Sequence, residues 1–199
     1  MLNIKKISSC SEGFSEKIKK HISQRKVNTT NIKDAVKDII SEVRVNGDQA
    51  LIKFCSKFDN YTVNNAKELE IPKKQLSEAL DKISVEELKA LKFAKKRIEE
   101  FSAHQKAKSW NYTSEGIMLG EKLSPIEKAG IYVPGGSAVY PSCVLMNSIP
   151  AKVAGVGEIV MVVPSPQGSV NDLVLAAAFL GGVDRLFRIG GAHAIAALA

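Results

Sequence analysis

Apolar positions recur every three or four residues through the first hundred residues, and this spacing is typical of amphipathic helices. The pattern predicts helices over residues 14–22, 30–46, 49–57, 72–83 and 85–107. Asp48 follows the helix-ending pair Asn46-Gly47 and is predicted to cap the third helix. Ser84 and Glu87 have the spacing of a capping box, in which each side chain bonds the other residue's backbone N–H. The first half of the chain is therefore predicted to be helical.

The pattern changes after Trp110. Extended segments joined by Gly116 and Gly120 predict a hairpin within residues 112–126. Strands are then predicted over 130–133, 158–163 and 185–189, alternating with helices over 142–155, 172–180 and from 192 onward. Apolar strands separated by helices indicate an α/β protein with a parallel sheet covered on both faces. Pro150 is expected to kink or break the helix that contains it.

The stretch from Gly130 to Ser142 joins a predicted strand to a predicted helix through a turn. In α/β proteins ligands bind where strands end, and glycines there let a ligand approach the backbone. A tight turn without a ligand is an equally good interpretation of this stretch alone. Neither the Gly-x-Gly-x-x-Gly fingerprint nor a P-loop occurs in the sequence, so the common phosphate-binding signatures are missing.

Composition and charge exclude several classes of protein and of binding partner. The 199 residues are 45% hydrophobic and 25% charged, which is usual for a globular protein with a core. The net charge of +7 belongs to the first half: residues 1–110 carry 23 Lys and Arg against 15 Asp and Glu, whereas residues 111–199 carry 5 against 6. The lysines follow helical faces without interleaved aromatic residues, so we predict a solvated surface and no nucleic-acid partner.

No apolar run is long enough to span a membrane, and the N-terminus lacks the apolar region of a signal peptide. Three scattered cysteines, Cys10, Cys55 and Cys143, favour a reducing cytoplasm, and Cys55 and Cys143 are interpreted as small packed residues. The three histidines, His21, His104 and His193, have no metal-site spacing. We therefore assign no metal ligand and no catalytic residue in this chain.

Longer motifs in the second half resemble the histidinol dehydrogenase family. They are the run Gly130-Ile-Tyr-Val-Pro-Gly-Gly-Ser-Ala138, the segment Pro150-Ala-Lys-Val-Ala-Gly-Val156, and the closing Gly190-Gly-Ala-His-Ala-Ile-Ala-Ala-Leu-Ala199. Gly47-Asp-Gln-Ala-Leu51 and Phe58-Asp59 resemble an early motif of that family. The resemblance extends in order from about residue 30 to the last residue.

The resemblance implies an enzyme that oxidises L-histidinol to L-histidine in two NAD-dependent steps through an aldehyde, with a zinc-bound substrate and a Glu-His pair as acid and base. Tyr132 is the position that contacts NAD in the family. His193 occupies the place of a family Gln that contacts NAD as well, and a neutral His offers fewer hydrogen bonds than an amide. Pro134, Gly135, Gly136 and Ser137 are expected to shape the cofactor pocket beside Tyr132.

The same resemblance implies a fold and a division of the chain. The fold class is α/β, with a helical N-terminal region followed by an incomplete Rossmann-like parallel sheet with flanking helices. We predict an N-terminal helical segment over residues 1–25, a helix-rich first domain over 26–131 and a Rossmann-like NAD-contacting domain over 132–199. Family members are roughly twice as long, so the zinc ligands and the Glu-His pair are expected beyond Ala199.

We therefore expect no histidinol oxidation by the 199 residues alone. Because the family is dimeric, a homodimer is expected, and a sheet cut after one strand predicts association or partial disorder near residues 190–199. Two alternatives remain open from the sequence. One is a nucleotide-binding module without chemistry. The other is a non-enzymatic protein whose lysine-rich helices bind an acidic partner.

Overall fold

The computed structural model describes residues 6–23, 29–135 and 139–199. Two compact units are formed, Met1–Ile39 and Ile40–Ala199. The α-helices of the described residues are α1 (Phe14–Ser23), α2 (Thr29–Asn46), α3 (Asp48–Asp59), α4 (Lys73–Glu78), α5 (Val85–Gln105), α6 (Pro141–Ala154), α7 (Asp172–Leu180) and α8 (Gly191–Leu198). The strands are β1 (Glu70–Ile71), β2 (Trp110–Ser114), β3 (Ile117–Glu121), β4 (Lys128–Tyr132), β5 (Glu158–Val162) and β6 (Arg185–Phe187).

The helices of the first half lie where the apolar spacing predicts them, with two local corrections. Asp48 does not cap α3, because α2 and α3 are separated by Gly47 alone. Gly47 makes the turn with a φ of 50° and takes the capping position, which leaves Asp48 as the first helical residue. The predicted helix over 72–83 is shorter, since α4 passes into a 3-10 turn at residues 79–81.

Helices α5 and α7 have side-chain caps at their N-termini. The capping box is present, since the Glu87 N–H donates to the Ser84 hydroxyl at 3.1 Å and the Ser84 N–H donates to the Glu87 carboxylate at 2.8 Å. The side chain of Asn171 caps α7 by accepting from the Leu173 N–H. Pro150 does not break α6, which continues through it to Ala154.

The larger sheet has the order β1-β6-β5-β4. Strands β4, β5 and β6 are parallel, with Ile131 opposite Met161 and Met161 opposite Leu186. This confirms the predicted parallel sheet, and the structure adds a strand that the sequence pattern does not reveal. The two-residue strand β1 pairs antiparallel with β6, and the sheet is therefore mixed.

Each face of this sheet carries its own core. On one face α4, α5, α6 and α7 cover β4, β5 and β6 around Leu145, Met161 and Leu175. On the other face α3 and α8 pack on the same strands around Cys55, Val162 and Ala194. The connections that leave β4 and β5 thus go to one face, whereas the connection that leaves β6 goes to the opposite face. Adjacent strands with connections to opposite faces form a crevice at their carboxyl ends, where α/β proteins bind ligands.

Strands β2 and β3 form the predicted hairpin, a separate two-stranded sheet whose residues are all exposed. No helix among the described residues combines the length and the apolar character needed to cross a membrane. The domain limits given by the sequence stay a prediction.

Candidate functional site

The carboxyl ends of β4, β5 and β6 meet at one edge of the sheet. Beyond the strands the backbone stays in register, since the Val133 N–H donates to Val162 O at 3.0 Å and the Val163 N–H donates to Phe187 O at 3.1 Å. Three loops therefore leave the sheet side by side. This edge is the candidate site, and it coincides with the crevice between β5 and β6.

Pro164, directly after β5, lies between the other two loops. A Cβ atom added to Gly135 would collide with the Pro164 carbonyl oxygen, and one added to Gly190 would collide with the Pro164 ring. Only glycine fits at these two positions without a backbone shift, because the obstructing atoms belong to backbone and a proline ring. The loops after β4 and β6 are therefore held against the loop after β5.

Tyr132 is the last residue of β4 and is half-buried. Its hydroxyl accepts a hydrogen bond from the Gly191 N–H at 3.2 Å, at the first residue of α8. The bond uses one of the N–H groups that a helix start leaves without an intrahelical partner. Because the hydroxyl accepts this bond, its own proton is directed elsewhere and is available to a ligand acceptor.

His193, in the first turn of α8, is buried with 1% of its surface exposed. Its ring packs against two phenylalanines of α3 in a cluster of three rings, with centroid distances of 5.3 Å to Phe54 and 5.7 Å to Phe58. Within the described ranges, neither ring nitrogen has a hydrogen-bond partner. Burial lowers the pKa of His193 to about 4, so the ring is neutral near pH 7.

A neutral imidazole with two unpaired nitrogens is costly to bury. Each buried polar group without a partner costs about 1–3 kcal/mol relative to one that is hydrogen-bonded. The ring is also close to the start of α8, since a Cβ atom added to Gly191 would lie 3.2 Å from its Nδ1. A hydrogen bond from a ligand to one or both ring nitrogens would remove this cost.

The structure brings four of the predicted cofactor residues to this edge: Tyr132, Pro134, Gly135 and His193. Pro134 and Gly135 are exposed directly after β4, as a pocket wall requires. Gly136 and Ser137 lie outside the described residues. The assignment of these positions to a cofactor remains a proposal.

Cys55 and Asp59 lie one turn apart on α3, below this edge. The Cys55 thiol is buried and lies 3.9 Å from Asp59 Oδ2. Burial, reinforced by the Asp59 carboxylate, raises the pKa of Cys55 to about 11. A thiol with so high a pKa is a poor nucleophile, which agrees with its interpretation as a packed core residue.

Sequence reasoning did not single out Arg188, which follows β6. Its Nη1 donates to the Gly168 carbonyl at 3.2 Å, and its guanidinium lies 5.9 Å from the centre of the Tyr61 ring. Arg188 thereby ties the loop after β5 to the segment after α3. No motif marked it, because its partners come from residues 20 and 127 positions away in sequence.

The described residues do not fit a zinc site. No group of three His, Cys, Asp or Glu side chains among them is arranged to hold a metal ion. We therefore derive no step through zinc from these residues. An apolar groove of about 330 Å³ lies between α3 and α8 and extends along β6 from Arg185 to Phe187 and Ile189.

Comparison with known proteins gives consistent matches. The family model described as histidinol dehydrogenase matches residues 22–199. The histidinol dehydrogenase of Hydrogenovibrio crunogenus is 46% identical over 200 aligned residues, which cover 100% of this chain and 46% of that protein. That of Pseudomonas fluorescens strain Pf0-1 is 48% identical over 197 residues, with coverages of 98% and 45%.

A solved structure agrees with these matches. The crystal structure of histidinol dehydrogenase from Elizabethkingia anophelis superimposes with a TM-score of 0.76 at 33% identity, over 83% of this chain and 38% of that chain. The chain thus spans about half the length of the curated relatives it matches.

Proposed function

Because this chain belongs to the histidinol dehydrogenase family, we propose that it forms the NAD-contacting part of an enzyme that oxidises L-histidinol to L-histidine. The oxidation proceeds in two steps through an aldehyde in histidine biosynthesis. Family membership supports the class of reaction. The arrangement at the carboxyl edge of the sheet supports the proposal that these residues contact NAD. The proposed location is the cytoplasm.

The observation that carries this proposal is the contact between Tyr132 and the start of α8, beside the unpaired imidazole of His193. A hydroxyl, a helix N-terminus and a neutral imidazole offer both donors and acceptors within one small region. The sugar hydroxyls, phosphates and amide of a dinucleotide require this mixture. The close approach of Gly135 and Gly190 to Pro164 holds the three loops of this edge together around the proposed pocket.

Each residue has a proposed task toward bound NAD. Tyr132 donates its hydroxyl proton to a cofactor oxygen while it accepts from Gly191. His193, uncharged at neutral pH, offers one donor and one acceptor to the cofactor. Pro134 and Gly135, with the neighbouring Gly136 and Ser137, form the pocket wall. When bound at these residues, NAD would supply the hydride acceptor that oxidation of the alcohol requires.

Zinc, the acid-base pair and most substrate contacts are proposed to belong to the whole enzyme and not to these 199 residues. The active protein is proposed to be a homodimer. If NAD binds and no turnover follows, this chain acts as a nucleotide-binding module by itself, which is compatible with its share of the whole enzyme.

Calorimetric titration with NAD tests the proposal. We expect the chain to bind NAD, and we expect Tyr132→Phe to weaken binding about tenfold, which is the loss of one hydrogen bond to a charged or polar ligand group. Tyr112→Phe is the matched control, since Tyr112 is an exposed tyrosine of the hairpin. Absence of NAD binding by the unmodified chain, or equal affinity of the Tyr132 and Tyr112 variants, would contradict the proposed role.

A further inference from the structure

We propose that Phe58 and Lys57, at the C-terminal end of α3, recognise the nucleotide directly. A flat heterocycle of the dinucleotide stacks on the Phe58 ring, and the adjoining phosphate meets the Lys57 ammonium group. The inference rests on the proposed function, because it concerns the same cofactor, and it adds two residues to those proposed above to contact it.

The position of α3 places these residues at the candidate site. The Cys55 thiol, one turn before the end of α3, lies 3.8 Å from the Arg188 carbonyl oxygen just beyond β6. The C-terminal end of α3 is therefore at the carboxyl edge of the sheet. Phe58 stacks on His193, whose ring lies beside Gly191, and the Gly191 N–H donates to the Tyr132 hydroxyl.

The exposure of Phe58 is informative because of what lies beneath it. Single exposed apolar side chains are common on protein surfaces and need no explanation. Phe58, however, is 51% exposed while its ring stacks on a buried imidazole that has no hydrogen-bond partner in the described part of the chain. An exposed ring therefore lies directly against the unpaired imidazole.

The Phe58 ring is also held in place before any ligand arrives. It stacks on Phe54 at a centroid distance of 5.8 Å with an interplanar angle of 13°, and on His193 at 5.7 Å with an angle of 29°. A ring that is already ordered loses little conformational freedom when a second ring stacks on it. Bases stack on aromatic side chains with little regard to their identity, since every base has a π-face.

Lys57 supplies the charge that a phosphate requires. Its Nζ lies 5.3 Å from the centre of the Phe58 ring. Within the described residues no carboxylate lies within ion-pair distance of Lys57, whereas Lys53 on the same helix is paired with Glu42 at 2.6 Å. Lys57 is thus a cation next to an exposed aromatic ring. A nucleotide matches this pair, since its base can stack on the ring and its phosphate can meet the cation.

The test compares NAD, AMP and nicotinamide mononucleotide in calorimetric titrations of the full chain. Phe58→Ala is expected to weaken NAD binding about tenfold or more, while Phe58→Tyr retains it, because stacking needs only the ring. Lys57→Gln is expected to weaken binding and to reduce its dependence on salt. If AMP loses affinity in Phe58→Ala, adenine is the ring that stacks on Phe58. If nicotinamide mononucleotide loses affinity, the nicotinamide ring stacks there.

Phe93→Ala is the matched control. Phe93 is 64% exposed and has Arg97 over its ring at 5.7 Å, but it lies on α5, which contributes no residue to the site. Circular dichroism and thermal unfolding of each variant separate a lost contact from a lost fold. If the unmodified chain binds NAD and Phe58→Ala binds as tightly as Phe93→Ala, the stacking inference is wrong and the proposed function stands. If the unmodified chain binds none of the three nucleotides, both are wrong.

Discussion

The His193 imidazole shows how strongly a single residue's surroundings set its chemistry. In water a histidine is half-protonated near pH 6.5, but when His193 is buried against Phe54 and Phe58 its pKa falls to about 4. The cause is loss of solvent around the charged form. The residue therefore stays neutral across the physiological range, and any role it has toward a ligand is that of an uncharged donor and acceptor.

This depressed pKa makes the stability of the fold depend on pH. The unfolded chain takes up a proton at His193 below about pH 6.5, whereas the folded chain resists protonation until about pH 4. The contribution of neutral His193 to the free energy of unfolding is therefore fully present above pH 6.5 and is lost as the pH falls toward 4. We expect a loss of about 2–3 kcal/mol between pH 7 and pH 4.5.

Urea unfolding at the two pH values measures this loss. His193→Gln is expected to remove most of the difference, because the amide does not titrate. His104→Gln is the control, since His104 is exposed near the end of α5. An equal acid sensitivity in the unmodified chain and in His193→Gln would show that other groups, such as the carboxylates, account for it.

At the scale of single elements, the turn after β4 depends on how close two backbones approach. Gly135 lies against the Pro164 carbonyl, whereas a Cβ atom at Gly130, within β4 itself, would meet only the Leu198 side chain at 3.1–3.3 Å. A side-chain end moves aside more easily than a backbone carbonyl. Substitution by alanine is therefore expected to lower the stability of the fold more at Gly135 than at Gly130.

We expect Gly135→Ala to destabilise the fold by about 1–3 kcal/mol, the usual cost of forced overpacking, and to weaken NAD binding. Gly130→Ala is expected to cost less, since Leu198 has other rotamers. Chemical denaturation of both variants provides the comparison, and NAD titration provides the functional readout. Equal losses of stability in the two variants would show that the Pro164 contact is not special.

The elements that the sequence predicts well are those set by local rules. The capping box at Ser84 and the apolar strands depend on residues within a few positions of one another, and the structure confirms them. Strand β1 depends on pairing between Glu70 and Phe187, more than a hundred residues apart, and two residues carry no periodicity. Asp48 was wrongly predicted as a cap because a one-residue connection at Gly47 leaves no room for it.

The sequence assigns Tyr132 and His193 to the cofactor only through the family resemblance, and that assignment stays a prediction. The rule that ligands bind at strand ends accounts for less, namely that these residues lie at the same edge of the sheet as Pro134 and Gly135. The surroundings of His193 were not predictable, since Phe54 and Phe58 approach it from α3 through tertiary packing. For the same reason the sequence showed neither the unpaired imidazole nor the place of Phe58.

At the scale of the whole molecule, the hairpin of β2 and β3 is the least buried part of the described chain. Side chains alternate between the faces of a strand, so Trp110, Tyr112, Ile117 and Leu119 share one face of the hairpin. All four are exposed by 49–61%. The opposite face carries mostly small or polar residues together with Met118. Two-stranded hairpins are marginal by themselves, so an exposed apolar face of this kind favours association.

We expect the chain to self-associate through this face as its concentration rises, and sedimentation velocity over a range of concentrations measures the effect. Ile117→Lys is expected to shift the equilibrium toward the monomer, because it places a charge within the apolar face. Met118→Lys is the matched control, since it adds the same charge to the neighbouring residue on the opposite face. If the two variants shift the equilibrium equally, added charge alone explains the change. If the unmodified chain remains a monomer at all concentrations, the hairpin face does not mediate association.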